Sequence, residues 1–207
     1  MVKVLSPANF DPSKIRILKS ATEVFFQRGF HRVSMDSLAS ELGMSKKTLY
    51  AHFDSKNVLL EEVLKNMTLQ INEGVMEILD ARETALDKLR NLISFLHRRM
   101  SQVHPCFLDD VRLYAPESWK IIEEFRGRMI PVYFGRIVDE GMNEGFIKSD
   151  LNRPFFLRLL LTSVQGMMNP TAITETGISP KSVLDGIMRI LFEGVLTPVG
   201  RTKFNKP

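Results

Sequence analysis

The side chains best suited to chemistry lie in one short basic segment of the sequence. The segment SKKTLYAH, residues 45–52, brings two lysines, three hydroxyl groups and an imidazole onto about two turns of helix. A helix that starts at Ser45 presents free backbone N–H groups and the positive end of its dipole at its first turn. Lysine and hydroxyl side chains bind phosphate and also donate hydrogen bonds to base edges. The segment therefore predicts a helix whose first turn binds nucleic acid.

The positive charge of the chain is concentrated in the same part of the sequence. The chain has 207 residues and a net charge of +4. Residues 1–60 contain nine Lys and Arg against five Asp and Glu, whereas residues 61–207 contain nineteen of each. A localised basic surface is expected of a protein that binds phosphate groups. Because a solvated surface is the commoner reason for excess charge, this distribution only supports the interpretation of the segment.

Two short helices are predicted around a glycine at the start of this segment. Ser34 is the expected N-cap of the first helix, which buries Leu38 and Leu42, and Ser45 is the expected N-cap of the second. Gly43 lies between them and tolerates the dihedral angles of a tight turn. Two short helices joined in this way form a helix-turn-helix, in which the second helix enters the major groove of DNA.

A set of residues in register across residues 29–64 carries a family resemblance. The set consists of Gly29-Phe30, Ser34, Leu38-Ala39, Gly43-Met44-Ser45, Thr48-Leu49-Tyr50, His52-Phe53 and Ser55-Lys56. With these residues the chain resembles the N-terminal DNA-binding domain of the TetR family of transcriptional regulators, over about residues 11–64. The resemblance implies an all-α fold of about nine helices, with a three-helix DNA-binding domain before a larger helical domain.

The resemblance also implies which side chains contact DNA. Phosphate contacts would be made by Ser34, Thr48, Tyr50 and Lys56, and His52 would pack beside the DNA backbone or contact it. Base contacts would be made by Lys46 and Lys47, with Ser45 as a further candidate. A lysine in this role favours guanine. Taken singly, the serines are equally explained as helix caps and the lysines as solvated surface. The joint pattern favours DNA binding.

The remainder of the chain has helical periodicity without sustained strand alternation. The first helix is predicted to begin at Asp11, to end at Gly29 and to bury a stripe of Ile15, Leu18, Thr22 and Phe25. A fourth helix follows Ser55. Further helices are predicted near residues 84–103, 106–114, 117–144, 153–169 and 180–196, with Pro131 bending or splitting its helix and with a loose tail. We predict a helix-turn-helix DNA-binding domain, residues 1–56, and a ligand-binding and dimerisation domain, residues 57–207.

By resemblance, the second domain would bind a small molecule and pair with a second copy of the chain. Candidate pocket residues are aromatic or methionine side chains of its helices: Phe95, Met100, Phe107, Trp119, Met129, Tyr133, Phe134 and Met167. Candidate dimer residues lie on the apolar stripes of the last two predicted helices: Phe155, Leu159, Val164, Val183, Ile187, Ile190 and Leu191. Packing within a single chain is the alternative for every residue of both sets.

Other functional classes have weaker support in the sequence. His104, Cys106 and Asp109 are close together in sequence and are candidates for the nucleophilic site of an enzyme. Residues two apart on a helix do not face each other, which argues against catalysis. The four histidines lack the spacing of metal ligands, and we expect neither metal nor cofactor. The single cysteine fits a reducing compartment. The first 14 residues lack the apolar region of a signal peptide. The longest apolar run contains Arg158 and is shorter than a membrane span of ~20 residues. We therefore expect a cytoplasmic protein that is not an enzyme.

These observations together predict a sequence-specific DNA-binding transcriptional regulator that responds to a ligand. In the preferred interpretation it is a dimeric repressor that binds a palindromic operator and is released by a small, mostly apolar effector. The alternative is a DNA-binding regulator without a small-molecule effector, either constitutive or switched by a protein partner. Nothing in residues 61–207 of the sequence distinguishes the two.

Overall fold

A computed structural model describes residues 11–204 of the chain. These residues form eleven α-helices and no strand, apart from one isolated bridge between Ile147 and Leu196. The helices are α1 (Pro12–Arg28), α2 (Met35–Glu41), α3 (Lys46–His52), α4 (Lys56–Asp80), α5 (Ala85–Ser101), α6 (Pro105–Tyr114), α7 (Pro116–Asn143), α8 (Arg153–Met167), α9 (Pro170–Thr176), α10 (Pro180–Val195) and α11 (Pro198–Phe204). The all-α fold predicted from the sequence is confirmed. The predicted absence of a signal peptide falls mainly on residues 1–10, outside the described residues.

The helix count exceeds the predicted nine because α9 and α11 were not expected. The segment expected to be a loose tail is helical over residues 198–204 because its neighbours hold it. The hydroxyl of Thr197 accepts a hydrogen bond from the Gly200 N–H at 3.1 Å and donates one to the Gly145 carbonyl at 2.9 Å. Arg90 of α5 donates to the carbonyl of Phe204 at 3.3 Å. Helix α11 is therefore fixed to the body of the protein.

The long helix α7 continues through Pro131 without the predicted break. A proline inside a helix costs about 3 kcal/mol, because it removes one hydrogen bond and crowds the preceding turn. Helix α7 packs against α4, α5, α6 and α8, and these contacts offset that cost. The predicted split at Pro131 is therefore wrong for the described structure, whereas the alternative, a bend, stays a prediction.

Two apolar cores share the helices α4 and α7. The first core contains buried side chains of α1 to α3, the first half of α4, α6 and the start of α7, and it includes the only tryptophan, Trp119. The second core contains side chains of the second half of α4, α5, most of α7, α8 and α10. Leu60 and Leu64 of α4 belong to the first core, whereas Val75 and Leu79 belong to the second. A movement of α4 therefore affects both cores.

The buried stripe of α1 differs from the predicted one. Ile17, Ala21, Val24 and Phe25 are the buried residues of this helix, whereas Ile15 is 50% exposed. The sequence allowed both stripes, since each repeats at spacings of three and four residues. Packing against α4 and α6 decides between them, because those helices contact the side of α1 that carries Ile17 and Phe25.

The described helices include none that is both long enough and apolar enough to cross a membrane.

Candidate nucleic-acid interface

Helices α2 and α3 form a tightly closed helix-turn-helix. Ser34 caps α2 by accepting a hydrogen bond from the Ser37 N–H at 3.0 Å, and the Ser37 hydroxyl accepts one from the Ser34 N–H at 3.1 Å. The turn closes where the Met44 N–H donates to the Ala39 carbonyl at 3.0 Å. Gly43 adopts a φ of +63°, in the left-handed region that side chains disfavour. The local sequence thus fixes the position of α3 relative to α2.

Helix α3 buries one side and exposes the predicted DNA-binding side. Leu49 is fully buried in the first core, and Phe53, which caps the helix, is 1% exposed. The opposite side presents Lys47, Thr48 and Tyr50 to solvent, and the Tyr50 side chain is 45% exposed. The first turn of α3 is therefore free to enter a groove of DNA. This arrangement is the one required of a recognition helix.

The exposed side chains of α3 differ in their contacts within the protein. Lys46 forms an ion pair with Asp36 of α2, with Nζ 2.5 Å from Oδ2. Lys47 has no hydrogen bond or ion pair among the described residues. Ser45 caps α3 by accepting from the Thr48 N–H at 3.0 Å, and the two hydroxyls lie 2.8 Å apart. Lys47 is therefore the cation of α3 most available to DNA.

His52 lies at the end of α3 against the start of α1. Its Nδ1 is 3.3 Å from Oδ2 of Asp11, the N-cap residue of α1, and its side chain is 20% exposed. The imidazole thus bridges the two helices. From this position it helps to hold α3 against α1 and keeps one edge at the protein surface.

Lys56 does not have the position that the resemblance implied for it. Its ammonium group donates to the carbonyls of Phe30, His31 and Val33, at 3.0, 3.3 and 2.8 Å, and lies 4.1 Å from the centre of the Phe30 ring. Burial lowers the pKa of this amine, and the carboxylate of Asp110 opposes that shift only in part. All three N–H donors are used inside the protein, which favours a structural role over the expected phosphate contact.

Two basic side chains of α1, Lys14 and Arg16, lie at the edge of this interface. Neither was among the DNA-binding residues predicted from the sequence. Arg16 donates to the carbonyl of Leu42 at 2.6 Å, at the end of α2, and Lys14 lies 5.4 Å from the centre of the Phe53 ring. The concentration of charge in residues 1–60 was the only sequence signal for them. Their contacts depend on the tertiary arrangement of α1 against α2 and α3.

The comparison with known proteins agrees with this geometry. Residues 17–63 match the family described as "Bacterial regulatory proteins, tetR family". Over these residues the chain is a member of the TetR family. These residues include α2, the turn and α3, so the helix-turn-helix of this TetR regulator is the part that the family model matches. The family predicted from the sequence is therefore confirmed.

Relatives of this TetR regulator match along most of the chain. The uncharacterized HTH-type transcriptional regulator YvaF of Bacillus subtilis (strain 168) is 24% identical over 181 residues, 87% of this chain and 94% of that protein. The HTH-type transcriptional regulator UidR of Escherichia coli (strain K12) is 23% identical over 188 residues, 90% of this chain and 94% of that protein. Both relatives carry the name of a transcriptional regulator.

Solved structures share the fold of this TetR regulator. A TetR-family transcriptional regulator from Marinobacter aquaeolei VT8 has a TM-score of 0.70 at 20% identity, over 94% of this chain and 96% of that one. A transcriptional regulator from Cytophaga hutchinsonii ATCC 33406 has a TM-score of 0.68 at 20% identity, over 90% and 100%. At these identities the likeness shows the arrangement of helices.

The residues predicted to line a ligand pocket are divided between the two cores. The second core contains or contacts five of them: Phe95, Met100, Met129, Tyr133 and Phe134. Phe107 and Trp119 are buried in the first core, and Met167 is 37% exposed at the end of α8. None of the eight predicted pocket residues lines either of two surface depressions, which have volumes of about 310 and 430 Å³. The structure thus does not bring the whole predicted set together.

The residues predicted to form the dimer interface are also divided. Phe155, Leu159 and Ile190 are 66%, 40% and 75% exposed on α8 and α10. Four others already pack inside the chain: Val164, Val183, Ile187 and Leu191. Contacts within the chain already cover most of the surface of these four, which favours packing inside one chain over the predicted contact with a second copy.

The cluster considered for catalysis serves to start α6. His104 is the N-cap residue, and its Nδ1 accepts a hydrogen bond from the Cys106 N–H at 3.2 Å. Cys106 is exposed. Asp109 is half-buried, and burial, with a smaller effect from Asp110, raises the pKa of its carboxyl group. Within residues 11–204, no group of three or more His, Cys, Asp or Glu side chains is arranged to hold a metal ion.

Proposed function

We propose that this TetR regulator is a dimeric repressor that binds a palindromic operator and is released by a small, mostly apolar effector. The observation that carries the proposal is the exposed first turn of α3, with Lys47 free to donate and with Leu49 anchoring the opposite side. We also infer a cytoplasmic location, because the operator DNA that it is proposed to bind would lie there.

The DNA-binding part of the proposal assigns different roles to the predicted residues. Lys47 contacts a base edge, because its charge has no partner among the residues that the structure describes. Lys46 contacts DNA either after its ion pair with Asp36 breaks or while that ion pair remains formed. The hydroxyls of Ser34, Thr48 and Tyr50 lie on the exposed surface and donate to phosphates. His52 stays between α1 and α3.

The proposed dimer uses the outer surface of α8 and α10. Phe155 and Ile190 would be costly to leave in water, since full burial of such side chains is worth about 1.5–3 kcal/mol each. An added Cβ at Gly166, Gly186 or Gly194 would meet nothing within 4 Å, so these positions leave room for a partner helix. A two-fold dimer places two recognition helices about 34 Å apart, one turn of DNA.

The proposed switch uses the contact of α6 with the DNA-binding helices. The backbone N–H of His104 donates to the Phe26 carbonyl at 2.7 Å. The backbone N–H of His31 donates to the Asp110 carboxylate at 2.8 Å. The His31 ring stacks on Tyr114 at 3.8 Å between ring centres. An effector that binds one arrangement of α4 and α6 more tightly than the other changes the spacing of the recognition helices.

Selection of bound sequences from random duplex DNA tests the proposed function. We expect a palindrome with half-sites one helical turn apart and an affinity that falls steeply with salt. An asymmetric site, or uniform binding to all sequences, would contradict the proposal. A thermal-shift screen of metabolites then distinguishes an effector-controlled repressor from the alternative that needs no small molecule, because a ligand of the native state raises its stability.

A further inference from the structure

Arg126 interrupts an otherwise apolar stripe on α7. Trp119, Ile122, Arg126, Met129 and Tyr133 follow one another at spacings of three and four residues, so they share one side of the helix. Trp119 and Ile122 belong to the first core, whereas Met129 and Tyr133 contact or belong to the second. Arg126 therefore lies where α7 passes from one core to the other. We call this place the junction.

The guanidinium of Arg126 has almost no partner among the described residues. Its one hydrogen bond to them runs from Nη1 to the carbonyl of Met168 at 3.4 Å, a long distance for a group with five N–H donors. Its Cζ lies 5.7 Å from the centre of the Trp119 ring. No ion pair between described residues includes Arg126. On the same helix, Arg136 pairs with Asp80 at 2.7 Å and with Glu140 at 3.0 Å.

Burial makes this missing partner costly. Burial lowers the pKa of Arg126 to about 10, although the exposed carboxylate of Glu123 favours the charge. The group still carries its charge at neutral pH. The side chain is partly buried, and a cation in surroundings of lowered dielectric gains from pairing with a carboxylate. The folded chain itself supplies no such carboxylate among its described residues.

A second arginine with an unmet donor lies on α5, in contact with α4. Nε of Arg99 is buried without a hydrogen-bond partner among the described residues, while its Nη2 donates to Gln70 of α4 at 2.9 Å. Gln70 lies between Met67, which packs on the first core, and Ile71, which packs on the second. Helix α4 therefore carries a polar side chain, Gln70, where it too passes from the first core to the second, and Arg99 of α5 contacts it.

The apolar side chains beside the junction can adapt to a ligand. Met100, Phe125 and Met129 are only partly buried where they pack on the second core. Phe95 lies against Gly74 so closely that an added Cβ there would come within 2.5 Å of the ring. Methionine side chains rotate at little cost and fill irregular spaces. An apolar chain could therefore replace contacts that these side chains now make with one another.

We propose that the junction binds an amphipathic anion, an apolar molecule with a carboxylate head, and that Arg126 pairs with the carboxylate. The inference rests on the proposed function, because it specifies the chemical class of the effector. A guanidinium binds a carboxylate through two parallel hydrogen bonds, and both groups are then satisfied away from water. A ligand at the junction contacts side chains of both cores. Its affinity therefore depends on how the two cores are placed relative to each other.

The test titrates the full chain with alkyl carboxylates from hexanoate to hexadecanoate, below their micellar concentrations, and follows the fluorescence of Trp119. The matched alkan-1-ols test the role of the charge, and alkylammonium ions test its sign. The variants are Arg126→Gln, Arg126→Lys and, as control, Arg128→Gln, which removes an exposed arginine of the same helix. DNA affinity without ligand confirms that each variant is folded.

We expect a carboxylate of the best length to bind the wild-type protein at least about tenfold more tightly than the matched alcohol. Arg126→Gln should bind that carboxylate about 10- to 100-fold more weakly and the alcohol almost unchanged, while Arg126→Lys should be intermediate and Arg128→Gln normal. Equal binding of carboxylate and alcohol, an unchanged Arg126→Gln, or no binding by any member of the series would overturn the inference.

A second measurement separates this inference from the proposed function. The best carboxylate is added to the complex of the protein with its selected operator. If the carboxylate binds through Arg126 but leaves the protein–operator complex intact, the result supports the anion site and contradicts the proposal of an effector-controlled repressor. If a different class of compound releases the operator and no carboxylate binds, the proposed function stands and the anion site does not.

Discussion

Substitution of Lys56 by methionine separates a structural lysine from a phosphate contact. Methionine has a similar length and keeps the apolar packing, but it removes the three hydrogen bonds to backbone carbonyls and the cation beside the Phe30 ring. Hydrogen bonds from a charged donor contribute about 1.5–3 kcal/mol each when buried. Since Lys56 is half-buried and its amine is partly desolvated at a cost, we expect a total loss of about 2–4 kcal/mol.

A loss of that size is a large part of the 5–15 kcal/mol that typically stabilises a folded domain. Urea denaturation followed through Trp119 measures it, because the tryptophan lies in the same core as the helix-turn-helix. The slope of DNA affinity against salt concentration is the second readout. We expect Lys56→Met to weaken binding to all sequences without changing this slope, because a residue that touches no phosphate releases no counterion.

Lys47→Gln is the matched control, because Lys47 is exposed and has no partner among the described residues. It should change stability by less than about 0.5 kcal/mol and alter sequence preference. The reasoning about Lys56 would be refuted by a variant of unchanged stability whose salt slope falls by about 0.9, the value for one lost phosphate contact. That result would restore the role implied by the family resemblance.

Three further predictions follow from other contacts. Gly29→Ala should destabilise the protein by about 1–3 kcal/mol in thermal denaturation, because φ is +83° and the new Cβ would lie 2.5 Å from Oδ2 of Asp110. Ile190→Asp should shift the chain from dimer to monomer in analytical ultracentrifugation, while Arg189→Ala, next to it, should leave the dimer intact. Burial alone would raise the pKa of Glu140, but hydrogen bonds from Lys88 and Arg136 hold this pKa below 4.5. Its stabilisation is therefore present above pH 4.5 and lost as pH falls through the lowered pKa, so Glu140→Gln should flatten the acid limb of stability against pH.

Local signals made the start of the fold predictable from sequence. The caps expected at Asp11, Ser34, Ser45 and Ser55 are all present, each accepting a hydrogen bond from a backbone N–H of its helix. Capping depends on residues two or three positions apart, so a single sequence contains the information. The exposure of Lys47 and Tyr50 followed in the same way from the spacing around Leu49.

Tertiary contacts decided what the sequence left open. Lys56 looked like a phosphate contact because its spacing from Phe53 fits the family pattern, but the carbonyls that it binds come from a loop 23 to 26 residues earlier. Val164 and Ile187 lie on apolar stripes that fit an internal core as well as a dimer interface, and only the packing of α8 against α10 assigns them. Arg126 gave no signal, since an arginine on a long helix is ordinarily solvated.

The sharing of the first core by distant parts of the chain limits how the regulator can be re-engineered. Phe107, Val111, Trp119 and Ile122 complete the hydrophobic interior of the DNA-binding helices although they lie more than forty residues further along the chain. A chimaera that grafts residues 11–64 onto a foreign sensor would leave that interior open on one side. A functional hybrid would have to include α6 and the first turns of α7 together with residues 11–64.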